Sequence, residues 1–183
     1  PGKKASDEDW AAYKVAKKEQ NLSRSGLQTL VELRVAFDGL GHATRTIIAA
    51  VDGSFCNHAF FGQPLDRIRL LARTRKDARL CLAASPGRRR YDSQIFTPEQ
   101  VRLDVAIPWA EASVFYAGDT RQIRYKQHSN VLWRRGAGTR PLRLIVIAPQ
   151  PYRAPSGRGY RDPAYLLTDD LETPVSLLIQ IYF

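Results

Sequence analysis

Methionine is absent from the 183 residues and cysteine occurs only twice. Cys56 and Cys81 form no Cys-x-x-Cys pair and have no Cys/His cluster around them, which argues against a disulfide framework or a structural zinc site and makes a reducing compartment the default. The three histidines, His42, His58 and His128, lack mutual spacing suited to a metal and are read as surface or packing residues. Long hydrophobic runs are missing as well. No stretch approaches the roughly 18 apolar residues of a membrane span, and no signal peptide is present, so a soluble protein is expected. Acidic residues are outnumbered: 18 Asp and Glu stand against 28 Lys and Arg, a net charge of +10. That excess selects a polyanionic partner without specifying a reaction. With no methionine, a start at Pro1 and a stop at Phe183 inside a predicted helix, the expectation is an internal piece of a longer protein, with an incomplete active site.

Positive features begin with Ile47-Ile48-Ala49-Ala50-Val51-Asp52-Gly53-Ser54-Phe55. Five apolar residues with β-branched ends predict a strand buried on both faces, as in parallel or mixed sheets covered by helices. The run stops at a carboxylate. Asp52 stands where the strand opens into a turn, the rim at which open α/β sheets collect ligands, and a carboxylate there can hold a divalent cation. Asp-Gly after a strand is also ordinary turn chemistry, since Asp caps its own backbone and Gly tolerates positive φ.

Along the chain, Ser6-Asp7-Glu8-Asp9 starts a peripheral helix or linker, with acids at the positive end of the dipole. Ser23 is expected to cap a stronger helix with Leu27, Leu30, Val31 and Val35 on one face, ended by Gly39 and Gly41 and packed on the sheet. A short helix follows over residues 57–61. Residues 69–76 predict a strand with a basic exit, and 78–83 another strand. A loop is expected over 85–92, its Arg88-Arg89-Arg90 run a solvated turn. Thr97-Pro98-Glu99-Gln100 is a capping-box start. Short strands at 112–116, 122–126, 131–135 and 142–147 predict antiparallel hairpins, with Arg134, Arg135, Arg140 and Arg143 decorating two of them. A proline-rich loop spans 149–163, a strand 164–168, and Thr173-Pro174 starts a helix with Val175, Leu178, Ile179 and Tyr182 on one face.

The order of Val51-Asp52-Gly53-Ser54-Phe55-Cys56-Asn57, Arg73-Thr74-Arg75-Lys76-Asp77-Ala78-Arg79-Leu80, Val131-Leu132-Trp133-Arg134, Arg140 to Pro149, Tyr165-Leu166-Leu167-Thr168-Asp169 and Ile181-Tyr182 resembles the catalytic region of bacterial insertion-sequence transposases of the DDE type. The resemblance runs from about Ser23 to the end of the chain. It implies an α/β (α+β) fold: a partial RNase H-like core over 23–76, a mostly antiparallel β insertion over 77–163, a return to the core over 164–183, and a linker over 1–22. It further implies that Asp52 is the second of three metal-binding carboxylates, the first Asp and the final Glu lying outside the chain, and that two Mg²⁺ (or Mn²⁺) ions serve the site. Arg73, Arg75 and Lys76 are expected on backbone phosphates, and Tyr182 on a phosphate near the site. Where such proteins stack a flipped base on an aromatic, this chain has Ala164 with Tyr165 beside it. Asp169 and Asp170 rank below Asp52, as loop residues. The implied partners are transposon ends and target DNA, bound by a homodimer in the bacterial cytoplasm at the nucleoid, with no membrane. Another RNase H-like nuclease, such as a resolvase, and a non-catalytic basic nucleic-acid-binding module remain the alternatives.

Overall fold

The computed structural model describes all residues except Pro1, Lys3, Lys4, Gln20, Pro86, Arg88, Arg89, Ala117, Pro155 and Ser156, so most of the predicted Arg88-Arg89-Arg90 turn lies outside the described residues. The chain divides into two compact units, residues 1–45 and 46–183. In the first, helix α1 (Asp7–Glu19) is capped by Ser6, whose hydroxyl accepts from the Asp9 amide at 3.1 Å while the Asp9 carboxylate accepts from the Ser6 amide at 3.0 Å. Helix α2 (Leu22–Gly39) starts at Asn21, whose side chain accepts from the Arg24 amide at 2.9 Å. The cap therefore lies two residues before the expected Ser23, and Val31 and Val35 of the expected apolar face are exposed. Arg34 anchors the end of α2. It donates to the carbonyls of Arg45 (2.6 Å) and His42 (3.0 Å) and pairs with Asp38 at 2.6 Å.

The second unit is mixed α/β with a mostly antiparallel sheet. Its strands are β1 (Ile47–Val51), β2 (Ile68–Arg73), β3 (Leu80–Ala83), β4 (Tyr91–Phe96), β5 (Ala110–Tyr116), β6 (Asp119–Leu132), β7 (Pro141–Ile147) and β10 (Ala164–Thr168). They form one eight-stranded sheet in the order β1-β2-β10-β7-β6-β3-β4, with β5 on β6. Among the described pairs only β1 and β2 run parallel, with Ile47 opposite Ile68 and Val51 opposite Ala72. The strands expected in an insertion over 77–163 thus continue the sheet that holds β1, β2 and β10.

Several strands differ from the sequence reading. β1 ends the strand order, so only Ala49 is buried and Ala50 is exposed, in place of burial on both faces. The segments read as 122–126 and 131–135 are largely one 14-residue strand, β6, in which His128-Ser129-Asn130 forms a bulge rather than a hairpin turn. Asn130 has φ 57°, the left-handed conformation that Asn tolerates and that bulges use. The expected 149–163 loop contains a separate two-stranded ribbon, β8 (Gln150–Ala154) and β9 (Gly157–Arg161). β4 starts inside the expected 85–92 loop.

Helices cover both faces of this sheet. Helix α5 (Val175–Tyr182) buries Val175, Leu178 and Ile179 against Leu71, Ile145, Ile147 and Leu166, with Ile48, Tyr182 and Phe183 packed on the same cluster. The other face carries Leu70, Leu144, Val146 and Leu167, with Phe60 and Phe61 of α3 (His58–Phe61) also buried and α4 (Pro98–Leu103) lying along β6 and β7. Asn57 caps α3. Thr97 caps α4 in a full capping box: its hydroxyl accepts from the Gln100 amide at 3.2 Å, and the Gln100 side chain accepts from the Thr97 amide at 2.8 Å. Thr97→Ala is expected to cost about 1 kcal/mol, read as a lowered urea midpoint at an unchanged m-value. No described helix is long and apolar enough to cross a membrane.

Candidate active site

Because β1 and β2 are parallel, their carboxyl ends open at the same rim, and Asp52 leaves one strand there while Arg73 to Lys76 leave the other. Asp52 is still extended, at φ −74° and ψ 179°, and caps the single 3₁₀ turn Gly53–Phe55. Its Oδ1 accepts from the Ser54 amide at 2.7 Å and the Ser54 hydroxyl at 2.5 Å. Those bonds, the hydroxyl's first, hold the exposed carboxyl below the usual carboxylate range, so it is ionised at neutral pH.

Strand alternation fixes which way this carboxylate belongs. Ile48, Ala50 and Asp52 share one face of β1, and Ile48 packs on the cluster that includes α5. Asp52 therefore lies on the α5 side of the sheet. Arg73 pairs with Leu166, a member of the same cluster, and shares that side. It borders two clefts. One, of about 610 Å³, also has Tyr116, Ala164, Tyr182 and Phe183 in its wall. The other, of about 650 Å³, is lined by Gly53, Arg75, Lys76, Glu99, Arg102 and Tyr165.

Not every predicted contact residue is free to serve. Arg75 is exposed but grips Asp77 through two bonds, Nε to Oδ1 at 2.8 Å and Nη2 to Oδ2 at 2.7 Å. Lys76 is exposed beside it. Tyr182 is half-buried at the end of α5 against Phe183. Tyr165 departs from the expectation of a stacking surface: it is 5% exposed, and its hydroxyl donates to Glu99. Alternation in β10 places Ala164 and Leu166 toward α5, which sends Tyr165 to the opposite face.

Glu99 and Arg102 escape a reading based on motifs, although their i, i+3 spacing after a capping box was visible. Arg102 donates to Glu99 through Nε (2.8 Å) and Nη2 (2.6 Å). That contact, with the Tyr165 bond, brings the Glu99 carboxyl down to about 2, while burial foremost pushes the Tyr165 phenol up to about 12. The phenol thus stays protonated. Asp169 and Asp170 are structural: Asp169 accepts from the Leu70 amide at 2.7 Å, and Asp170 accepts from the Thr173 amide at 2.8 Å and its hydroxyl at 2.6 Å. His58 contacts the Gly136 carbonyl at 2.9 Å, and His128 stacks on Phe96.

The described residues contain no group of three or more His, Cys, Asp or Glu placed to hold a metal ion. No family model, curated protein or solved structure matches the chain.

Proposed function

We propose that the chain is part of a metal-dependent enzyme that cuts and rejoins DNA, of the DDE transposase class, built on an RNase H-like core. The supporting observation is the rim of the parallel pair: an ionised carboxylate, Asp52, and a cation, Arg73, lie on the α5 side where β1 and β2 end. An exposed, ionised oxygen ligand suits Mg²⁺ or Mn²⁺, and Asp52 is the residue here that would hold it. When bound, such ions polarise a phosphoryl oxygen and activate a water or 3′-hydroxyl. One carboxylate cannot assemble a two-ion centre, so on this reading the other carboxylates come from elsewhere in the protein. Arg73 and Lys76 take backbone phosphates flanking the cut, and the Tyr182 hydroxyl donates to another. The DNA is a transposon end or target, bound by a homodimer.

A second reading has an observation of its own. Both described bonds to Ser54 fall on Asp52 Oδ1 inside its own turn, which suits a non-catalytic basic DNA- or RNA-binding module in which Asp52 is only a cap. The test is metal-dependent cleavage. The longer protein containing this chain should nick its end DNA with Mg²⁺ or Mn²⁺ and join it to a target, whereas a resolvase-like nuclease would cut without joining. The 183 residues alone should bind duplex and leave it intact. Cleavage by the chain alone would sink the idea that Asp52 is one acid of several.

The phosphate contacts have their own measure. Replacing Arg73 and Lys76 together by Ala should flatten the dependence of log affinity on log salt by about 2, at roughly 0.9 for each phosphate no longer neutralised. Arg75→Ala should change it less, because Asp77 already neutralises that guanidinium.

A further inference from the structure

Helix α4 is strapped to the sheet at both of its ends. Tyr165 on β10, Val146 on β7 and Lys126 on β6 are register partners, so they form one row across three strands on the face away from α5. The two outer members of the row hold the helix. Lys126, only 3% exposed, donates through Nζ to the carbonyls of Arg102 (3.0 Å) and Asp104 (2.5 Å) at the end of α4 and lies 4.9 Å from the Trp109 ring. Carbonyls that close a helix lack intrahelical partners, and a cation satisfies them. At the first turn the Tyr165 hydroxyl donates to Glu99, whose two carboxylate oxygens Arg102 also grips. Both oxygens are thus engaged.

From that face the helix reaches the rim through the backbone. The Glu99 amide donates to the Lys76 carbonyl at 3.1 Å, and the Tyr165 carbonyl accepts from the Thr74 amide at 2.7 Å. The segment Thr74–Lys76 is therefore held at each end by one member of the Glu99–Tyr165 pair. Lys76 itself is exposed and makes no ion pair among the described residues, and it lines the cleft of about 650 Å³ together with Glu99, Arg102 and Tyr165. Its charge adds, after the Arg102 hydrogen bonds, to the pull that holds the Glu99 carboxyl at about 2, so the ammonium lies within electrostatic reach of the pair.

We infer that Glu99 and Tyr165 are positioning residues, which fix the exit of β2 so that the Lys76 ammonium meets a DNA phosphate from a backbone already in place. The inference rests on the DNA reading above and adds how its cation is aimed. A lysine on an untethered exit loses backbone as well as side-chain freedom on contact, and here only the side-chain cost remains. The pair acts through Lys76 alone: Tyr165 is 5% exposed, and the Glu99 carboxylate repels phosphate.

The sign of one substitution separates positioning from plain charge. Glu99→Gln removes a negative charge beside the cleft, which by electrostatics alone should tighten duplex binding, whereas loss of a positioning residue should weaken it several-fold. Tyr165→Phe changes no charge, keeps the buried ring and should weaken binding in the same direction. The readout is the dependence of log affinity on log salt for the 183-residue chain and a blunt duplex. Lys76→Ala should flatten it by about 0.9, the value of one phosphate. Glu99→Gln and Tyr165→Phe should each flatten it by roughly half of that or more, and neither should flatten it further in Lys76→Ala. A variant that is only less stable has a smaller folded fraction and leaves the slope where it was. Should duplex bind and Lys76→Ala flatten the slope while Tyr165→Phe leaves it unchanged or Glu99→Gln tightens binding, this inference alone is overturned. Failure of the unaltered chain to bind duplex overturns the functional reading with it.

Discussion

Asp52→Asn is expected to leave duplex affinity within about twofold and, in the longer enzyme proposed above, to reduce metal-dependent cleavage by roughly 10³ or more, since a metal-held phosphoryl group draws several kcal/mol from its ligands and each 1.36 kcal/mol is tenfold in rate. The substitution is selective because the amide keeps the oxygen that accepts from the Ser54 amide and hydroxyl. The turn over Gly53–Phe55 should persist, and urea unfolding should barely change. Only the negative charge is removed. Asp52→Ala removes cap and charge together and serves as the contrast. The carboxyl is held below its ordinary range, so its contribution to the turn is present above the unfolded-state value and lost as pH falls through the lower folded-state value. Cleavage limited by this group should accordingly survive down to a pH below the usual carboxylate range. Undiminished cleavage in Asp52→Asn would make Asp52 a cap and favour the basic binding module.

How far the sequence foretold the structure depended on whether a signal was local. The capping box at Thr97, the short helix at 57–61, the strand position of β1 and the α5 stripe are set by neighbours within a few residues, and the structure places them where expected. The sequence splits β6 into two segments because a bulge and a hairpin turn draw on the same residues. His128-Ser129-Asn130 says that the backbone departs from regular pleating, and only pairing with β7 on both sides shows that the strand continues. β4 gave little signal, since an edge strand with its middle four residues exposed has no apolar alternation to find. At the site, Asp52 and Arg73 were legible as strand exits. Tyr165 was not, because one step of alternation in β10 decides whether its ring meets the α5 side or the Glu99 side, and that phase is set by packing.

Asp169→Ala should destabilise the second unit by about 3–5 kcal/mol, a large part of the roughly 5–15 kcal/mol available to a domain. Asp169 follows β10 and ties three segments together. Oδ1 accepts from the Leu70 amide at 2.7 Å, and Oδ2 lies 3.4 Å from Arg140, whose other amino group donates to the Phe61 carbonyl. The side chains are only 6% and 20% exposed. Removal of the carboxylate leaves a buried amide and a largely buried guanidinium without their partner. Burial raises the Asp169 carboxyl even with Arg140 nearby, and it lowers Arg140 as well. Desolvation thus outweighs the attraction between them. The ionised form is the disfavoured one in the fold, so this group's contribution is complete below the ordinary carboxylate value and fades as pH rises through the raised folded value. Asp169→Asn, which can still accept from the Leu70 amide, should therefore cost clearly less than Asp169→Ala and should remove the wild type's loss of stability just above the ordinary carboxylate range. Paired replacement by Asp169→Leu and Arg140→Met should recover most of the loss, because neither charge then remains buried. Urea midpoints across pH decide the matter: if Asn costs as much as Ala, attraction to Arg140 dominates, and the balance argued for this pair is reversed.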